Sequence, residues 1–513
     1  MTLTSPSAFV GPVKSQVTAL GNLGTTETIN AATVEDGWYT GTLDANCVLT
    51  VSNLAAGARL KLILSQAGPG GKTLTLSDGT SSAAVTVGSG SSAVTIVDVV
   101  GAGGILYFQA TVGGGVVVTT PGGALGGSVP DLHTWNITSE LYVGGSGASD
   151  SNAGTSAAPF ATLQGAHDYL KTTHTWPSTG DVAVNVRTGT YKAANTLQAT
   201  LDTTFTGTTR APTSTRYLIW RVASGHEGGV TINNPSGTAS DRYAVRVGSN
   251  AANSHQIFYG FNIDGEQTIK GPATGSGGGS CGFYFSGTTT DSNTRCEVLF
   301  CTIHGLRANT SQSMQAITTD DGSSHLKVAF NRFYDNGNVG STLANQEHQI
   351  YLHAPDSVVM GNLFESSPNG YAIQYYDGNT PTLGYHRAQI LCNTINLCRK
   401  SGIVIHATTT SVIVRGNIFS NNTEYGIEFF PTGTGTTCVV DRNHYYNNTA
   451  GNRDESPTGW TFTNETSGDP LYTTGLFTLQ AGSPCKGIGD ADWTPTVDLT
   501  GATRSVANLG AYA

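Results

Sequence analysis

Charged side chains are scarce: Asp, Glu, Lys and Arg make up 12% of the 513 residues, about half the usual ~25%. That scarcity excludes disorder, because a chain that stays unfolded does so through high net charge and few apolar side chains. It also excludes helical bundles and coiled coils, which draw on Ala, Glu, Lys and Leu at a helical period. Basic charge is the scarcer sign. With 25 Lys and Arg against 35 Asp and Glu, the net charge of −10 repels a polyanion such as duplex DNA, so no nucleic-acid partner is expected. Long apolar runs are missing too: the most apolar stretch, Val94 to Val118, contains Asp98, Gln109 and many glycines, so no membrane-spanning helix of ~20 residues is expected. The N-terminus, MTLTSPSAFVGPVKSQ, has no basic segment followed by an apolar core, and no secretory signal is expected. The eight cysteines show neither CxxC nor Cys/His spacing, which favours buried free thiols over a zinc site or a disulfide framework.

What the chain has instead is glycine, 66 residues or about 13% against a usual ~7%, with Thr, Ser, Asn and the β-branched Val and Ile. Many short strands joined by tight turns need that composition. Residues 1–120 read as a small β module: Cys47 to Leu54, Arg59 to Gln66, Lys72 to Gly79 and Ile105 to Val112 alternate apolar and polar residues between Gly-rich turns, a pattern that predicts antiparallel strands in a sandwich or barrel. A Gly/Pro-rich linker follows over 121–138.

Beyond the linker the chain repeats itself. Asn331, Asn362, Asn393, Asn417 and Asn443 each stand two residues before Phe, Ile or Tyr, at intervals of 31, 31, 24 and 26 residues. Self-similarity at such a period marks a solenoid, propeller or array, and Val/Ile strands without a helical period favour a β-solenoid. Surface turn-forming would account for one such Asn. Five followed by the same kind of side chain predict a ladder, each Asn bonded to the next at a bend between stacked strands. A second set of strands is interleaved: Ser313 to Asp321, Glu347 to Ala354, Gly370 to Gly378, Ser401 to Ala407 and Tyr425 to Phe430.

At this point the sequence resembles the right-handed parallel β-helix proteins of the pectate-lyase-like type, phage tailspikes among them. The stretch ELYVGGSGASDSNAGTSAAPFATLQGAHDYL, Glu140 to Leu170, is similar to the opening of many such helices, with a short capping helix, and Asp181 to Tyr191 to the first full rung. The resemblance implies a β-helix over 139–465 and a closing segment over 466–513. It also implies a homotrimeric spike on a virion, attached to a tail or capsid protein through residues 1–120 and made in the host cytoplasm without a signal peptide. Its partner would be a bacterial surface polysaccharide, bound and depolymerised along the helix. A non-catalytic glycan-binding receptor or decoration spike, or a bacterial polysaccharide lyase, are the alternatives on the same fold. No cofactor is implied.

A β-helix carries its chemistry on outward side chains, which alternate with inward ones along each strand and repeat every ~4.8 Å from rung to rung. Aligning Ile317, Ile350, Ile373, Ile403 and Ile427 as one inward column makes the next position outward: Thr318, Tyr351, Gln374, Val404 and Glu428. The position three residues after each Ile holds Asp320, His353, Tyr376, His406 and Phe430, a line of titratable and aromatic groups suited to stacking on sugars and to moving protons. Tyr284, Ser286 and Arg246 extend the face upward. Polar residues on a solvent-facing sheet need no function singly; three such groups on consecutive rungs weigh towards one. For hydrolysis, two carboxyl groups must stand ~5–9.5 Å apart. Asp320 and Glu428, four rungs or ~19 Å apart, do not qualify, which leaves Asp377 with Glu428, or Asp320 with Asp321. Elimination would use His353, His406 or a Tyr as base and Tyr376 as acid, but needs a cation against the uronate, and Arg387 and Lys400 are the nearest. The Asp320–Asp321 doublet is a weak calcium signal, more consistent with a solvated turn. The long loops 335–349 and 378–388 are expected to wall the groove and bring Glu347, Tyr385 and His386 near the column.

Overall fold

The computed structural model describes Leu132 to Tyr512 apart from the stretches 195–196, 206–209, 236–241, 249–250, 271–277, 288–292, 309–312, 321–322, 339–345, 376–386, 406–408, 431–433, 474–475, 491 and 505–506, and, before that, the strand backbones of an N-terminal unit. The chain divides into Met1–Gly126 and Gly127–Ala513.

In the first unit, ten strands form one six-stranded and one four-stranded sheet. The first six strands alternate between the two sheets. Strands Val17–Leu23, Asp36–Leu43 and Arg59–Gln66 therefore run parallel within one sheet, and Thr26–Asn30, Cys47–Ser52 and Lys72–Ser77 within the other. The expectation of antiparallel pairing holds only for the later strands, Arg59–Gln66 with Val94–Ala102 and then Ile105–Val112, and Lys72–Ser77 with Ser82–Val87. Alternating hydrophobicity marks a strand with one buried face and carries no information on which strand it pairs with.

The second unit is a right-handed parallel β-helix. Its chain cycles through three parallel sheets of 11, 10 and 9 strands, the crossover hand being the one that twisted strands enforce. Sheet 1 runs from Ile137–Val143 to Trp460–Thr463, sheet 2 from Gly189–Tyr191 to Thr466–Ser467, and sheet 3 from Ala199–Asp202 to Gly451–Arg453. Inward Val, Ile, Leu and Phe stack on their equivalents one rung away. Phe333 and Phe364, for example, lie parallel with centroids 4.7 Å apart.

The bend between sheets 1 and 2 explains the repeated Asn. All five are fully buried. From Asn362 to Asn443 each carboxamide oxygen accepts both the backbone N–H and the side-chain N–H of the Asn one rung earlier, at 2.9–3.0 Å, and the Asn331 oxygen accepts the Cys301 N–H at 2.8 Å. The residue before each ladder Asn has positive φ, from 50° at Cys392 to 71° at Gly416, a conformation costing of order 1–3 kcal/mol for a side chain other than glycine. The buried ladder offsets that cost and so lets Phe330, Cys392 and Arg442 occupy it.

Both ends are closed. Helix Leu163–Thr172, whose N-cap Thr162 accepts the Gly165 N–H, turns Leu163, Ala166, His167 and Leu170 onto the top of the core. The closing segment returns along the outside of sheet 1, where Trp493, Val497 and Leu499 pack with Met360, Leu391 and Ile413. Buried Arg504 holds it by donating to the carbonyls of Val497, Gly510 and Tyr512. The outer face of sheet 1 is therefore covered, around Met360, Leu391 and Ile413, by the closing segment. The seven cysteines of this unit are buried and free.

Candidate functional site

Sheet 3 pairs its strands in the register Ile317↔Ile350↔Ile373↔Ile403↔Ile427, with each Ile fully buried. The position after it forms an unbroken outward column: Asp202, Arg246, Tyr284, Thr318, Tyr351, Gln374, Val404 and Glu428. Ile427 pairs with Arg453, and Asp454 follows at the bend just past that strand, its Oδ1 accepting the Phe429 N–H.

A second outward column lies beside it, and strict alternation fails to reveal it. Ala316 and Ile317, Gln349 and Ile350, and Ala372 and Ile373 are consecutive and all fully buried. This local irregularity turns Gln315, His348 and Tyr371 outward. His348 stacks between Tyr351 and Tyr371 at 5.4 and 5.5 Å, and burial pushes its pKa down to about 3, so it is a neutral ring at physiological pH. Higher up, Tyr243 and Tyr284 stack at 4.7 Å.

Of the positions three residues after each Ile, Asp320 and His353 lie past the ends of their strands, which stop at Thr319 and Leu352. Asp320 accepts the Tyr284 hydroxyl at 2.7 Å and the Gly287 N–H at 3.3 Å. Burial, with this carboxylate second, raises the Tyr284 pKa. Buried His353 sets its ring edge-on to Tyr351 at 4.4 Å, and its backbone N–H donates to Thr319 Oγ1. Phe430 is exposed (56%). Tyr376, Asp377, His406, Asp321, Tyr385 and His386 lie outside the described residues. Glu347 is no groove wall: it is fully buried, and its carboxylate accepts the Asn338 backbone and side-chain N–H groups. Arg246 is paired with Asp202 at 3.2 Å.

The lower end of the face gathers the chemistry. Glu428 accepts the Ser401 hydroxyl at 2.8 Å and, more weakly, the Tyr371 hydroxyl at 3.5 Å. Its pKa is raised by desolvation and then by the neighbouring charges of Glu424 and Asp454, against the opposing Ser401 bond. Desolvation raises the Asp454 pKa as well, although its Oδ1 accepts the Phe429 N–H at 3.0 Å. Burial raises the Tyr371 phenol, with Glu428 the next cause. Glu428 was legible in the sequence. Asp454 was not, because its rung is the last and its strand, Gly451–Arg453, carries no Ile to align. Tyr371 and Ser401 were missed because the irregularity hides their column.

The cations that elimination would require are engaged elsewhere. Lys400 pairs with Glu424 at 2.6 Å and Arg387 with Asp356. Among the described residues no group of three or more His, Cys, Asp and Glu is arranged to hold a metal, and no helix is long and apolar enough to cross a membrane.

No family model matches this chain, and no curated protein does. Among solved structures it is similar to a rhamnogalacturonan lyase (12% identity, TM-score 0.40, 64% of this chain and 87% of that one). It is also similar to a glycoside hydrolase (9%, 0.45, 64% and 97%), and to a tailspike protein mutant of E. coli bacteriophage HK620 in complex with a pentasaccharide (12%, 0.38, 61% and 60%).

Proposed function

We propose that this protein binds a polysaccharide along the outward face of sheet 3 and hydrolyses it at Glu428 and Asp454. The observation that carries this reading is the pair itself: two carboxyl groups on adjacent rungs, ~4.8 Å apart at the backbone, both shifted towards the protonated form. Two such carboxyls flanking a glycosidic bond divide the work of hydrolysis. Glu428, half-buried and with the hydroxyl of Ser401 fixing its orientation, gives its proton to the leaving glycosidic oxygen. Asp454, nearer solvent, takes a proton from the water that attacks the anomeric carbon, or attacks that carbon itself before water releases the sugar. Either way one C–O bond breaks and the elements of water are added. Exposed Phe430, on the same rung as Glu428, offers an apolar face for a sugar ring. Upstream, Tyr351, Gln374 and Tyr284 supply stacking and hydrogen bonds. The engaged state of Lys400 and Arg387 favours hydrolysis over elimination.

The biological setting that fits is a phage spike, trimeric, attached through its first 120 residues and directed at a bacterial surface polysaccharide. Incubation with a panel of bacterial exopolysaccharides tests the chemistry: new reducing ends without an ultraviolet-absorbing unsaturated sugar are expected. Glu428→Gln should lower the rate by ~10²–10⁴-fold, the usual contribution of a positioned acid or base, while leaving binding intact. Full activity in that variant, or unsaturated products, would refute the assignment. Binding without cleavage by the wild type would favour a non-catalytic receptor, a reading that the aromatic face of Tyr243, Tyr284 and Tyr351 supports by itself.

A further inference from the structure

The top of the same column opens into a second site. Between the capping helix and the first strand of sheet 3 lies a cleft of about 520 Å³ lined by Gln164, Lys171, Leu197, Gln198, Asp202 and Thr204, within the usual ~300–1,000 Å³ of small-ligand sites. Its walls are braced. Gln164 accepts the Asp202 N–H at 3.0 Å and donates to Asp168 at 3.0 Å. The Asp202 carboxylate is held by the Thr204 N–H at 3.1 Å, the Thr204 hydroxyl and Arg246. Two groups remain available to a ligand. Leu197 is 50% exposed, an uncommon state for a large apolar side chain in this unit. The Lys171 ammonium makes no ion pair among the described residues. An apolar patch beside hydrogen-bonding groups matches a pyranose, with its C–H face and its ring of hydroxyls.

We infer that this cleft is a distal subsite for the same polysaccharide chain whose cleavage is assigned to Glu428 and Asp454, an inference that rests on that reading. The link is geometric. Asp202 belongs both to the cleft and to the outward column, and seven register steps separate it from Glu428, ~34 Å at ~4.8 Å per rung. A glycan long enough to cover that span engages both ends, and the second contact is gained at high effective concentration. A shorter one reaches only the carboxylates.

The test uses size-fractionated fragments of an exopolysaccharide that the wild-type full chain depolymerises, one set shorter and one longer than ~34 Å. The double variant Lys171→Ala/Gln198→Ala, and separately Leu197→Ser, should bind long fragments about tenfold or more weakly, while kcat/KM on short fragments stays at the wild-type value. Unchanged affinity for long fragments, or an equal loss at both lengths, overturns the distal subsite and leaves the catalytic reading standing. A wild type that neither binds nor cuts any polysaccharide of the panel overturns both.

Discussion

Replacing Asn393 by Ala removes one rung of the buried ladder, and the structure sets the size of the effect. The Asn393 oxygen accepts the backbone and side-chain N–H groups of Asn362, both at 2.9 Å. Its amide donates to the Val359 carbonyl and to Asn417 Oδ1, again at 2.9 Å. Four hydrogen bonds at ~1 kcal/mol net each disappear, and the Asn362 backbone N–H is left buried without its acceptor, an orphan costing ~1–3 kcal/mol. The sum, about 5–7 kcal/mol, is comparable with the ~5–15 kcal/mol that holds a whole domain together. Since each rung of a solenoid contacts only its neighbours, the loss should concentrate at the rungs of Asn362, Asn393 and Asn417. Urea unfolding gives the total, and amide hydrogen exchange at Asn362 gives the local part. The control is Asn421→Gly, because Asn421 has a φ of 56° that Ala would adopt only with strain. Asn421 is half-buried and exchanges two 2.9 Å bonds with Asn396 and Asn447, where water can substitute, so its loss should be below ~1 kcal/mol. Equal destabilisation by the two substitutions would refute the claim that buried ladder bonds stabilise the bend.

Two further outcomes follow from desolvated groups. Folding raises the Glu428 pKa above its ordinary 4.5, so its contribution to stability is fully present below that value and is lost as pH rises through the folded pKa. The melting temperature of Glu428→Gln should therefore gain on the wild type between about pH 4 and neutrality, and a gap that does not widen with pH would contradict the shift. The buried thiols of Cys296, Cys301 and Cys398, pushed up to about 12 by desolvation, should resist a thiol reagent in the native protein and react in urea. Peptide mass spectrometry after labelling reads this, and rapid native labelling at these positions would contradict their burial.

The sequence by itself determined the solenoid and the inward Ile column. Both rest on periodic, chemically narrow choices: an Asn that only a neighbouring Asn can satisfy at a buried bend, and a branched apolar residue that only a dry core accommodates. Those requirements are local, so they are written at fixed spacing. The candidate site was legible only in part. Glu428, Tyr351, Gln374 and Tyr284 follow from the register, while Asp320 and His353, three residues after their Ile, lie past the strand ends on bends that alternation cannot see. Tertiary structure decided the rest. Two consecutive inward residues shifted His348 and Tyr371 onto the outer face. The return of the C-terminal segment covered sheet 1, and the last rung set Asp454 beside Glu428 although the two are 26 residues apart. Neither the pairing of distant carboxyls nor the shift in their proton affinity is a property of any short segment. Both arise only when separate rungs are stacked and water is removed from between them.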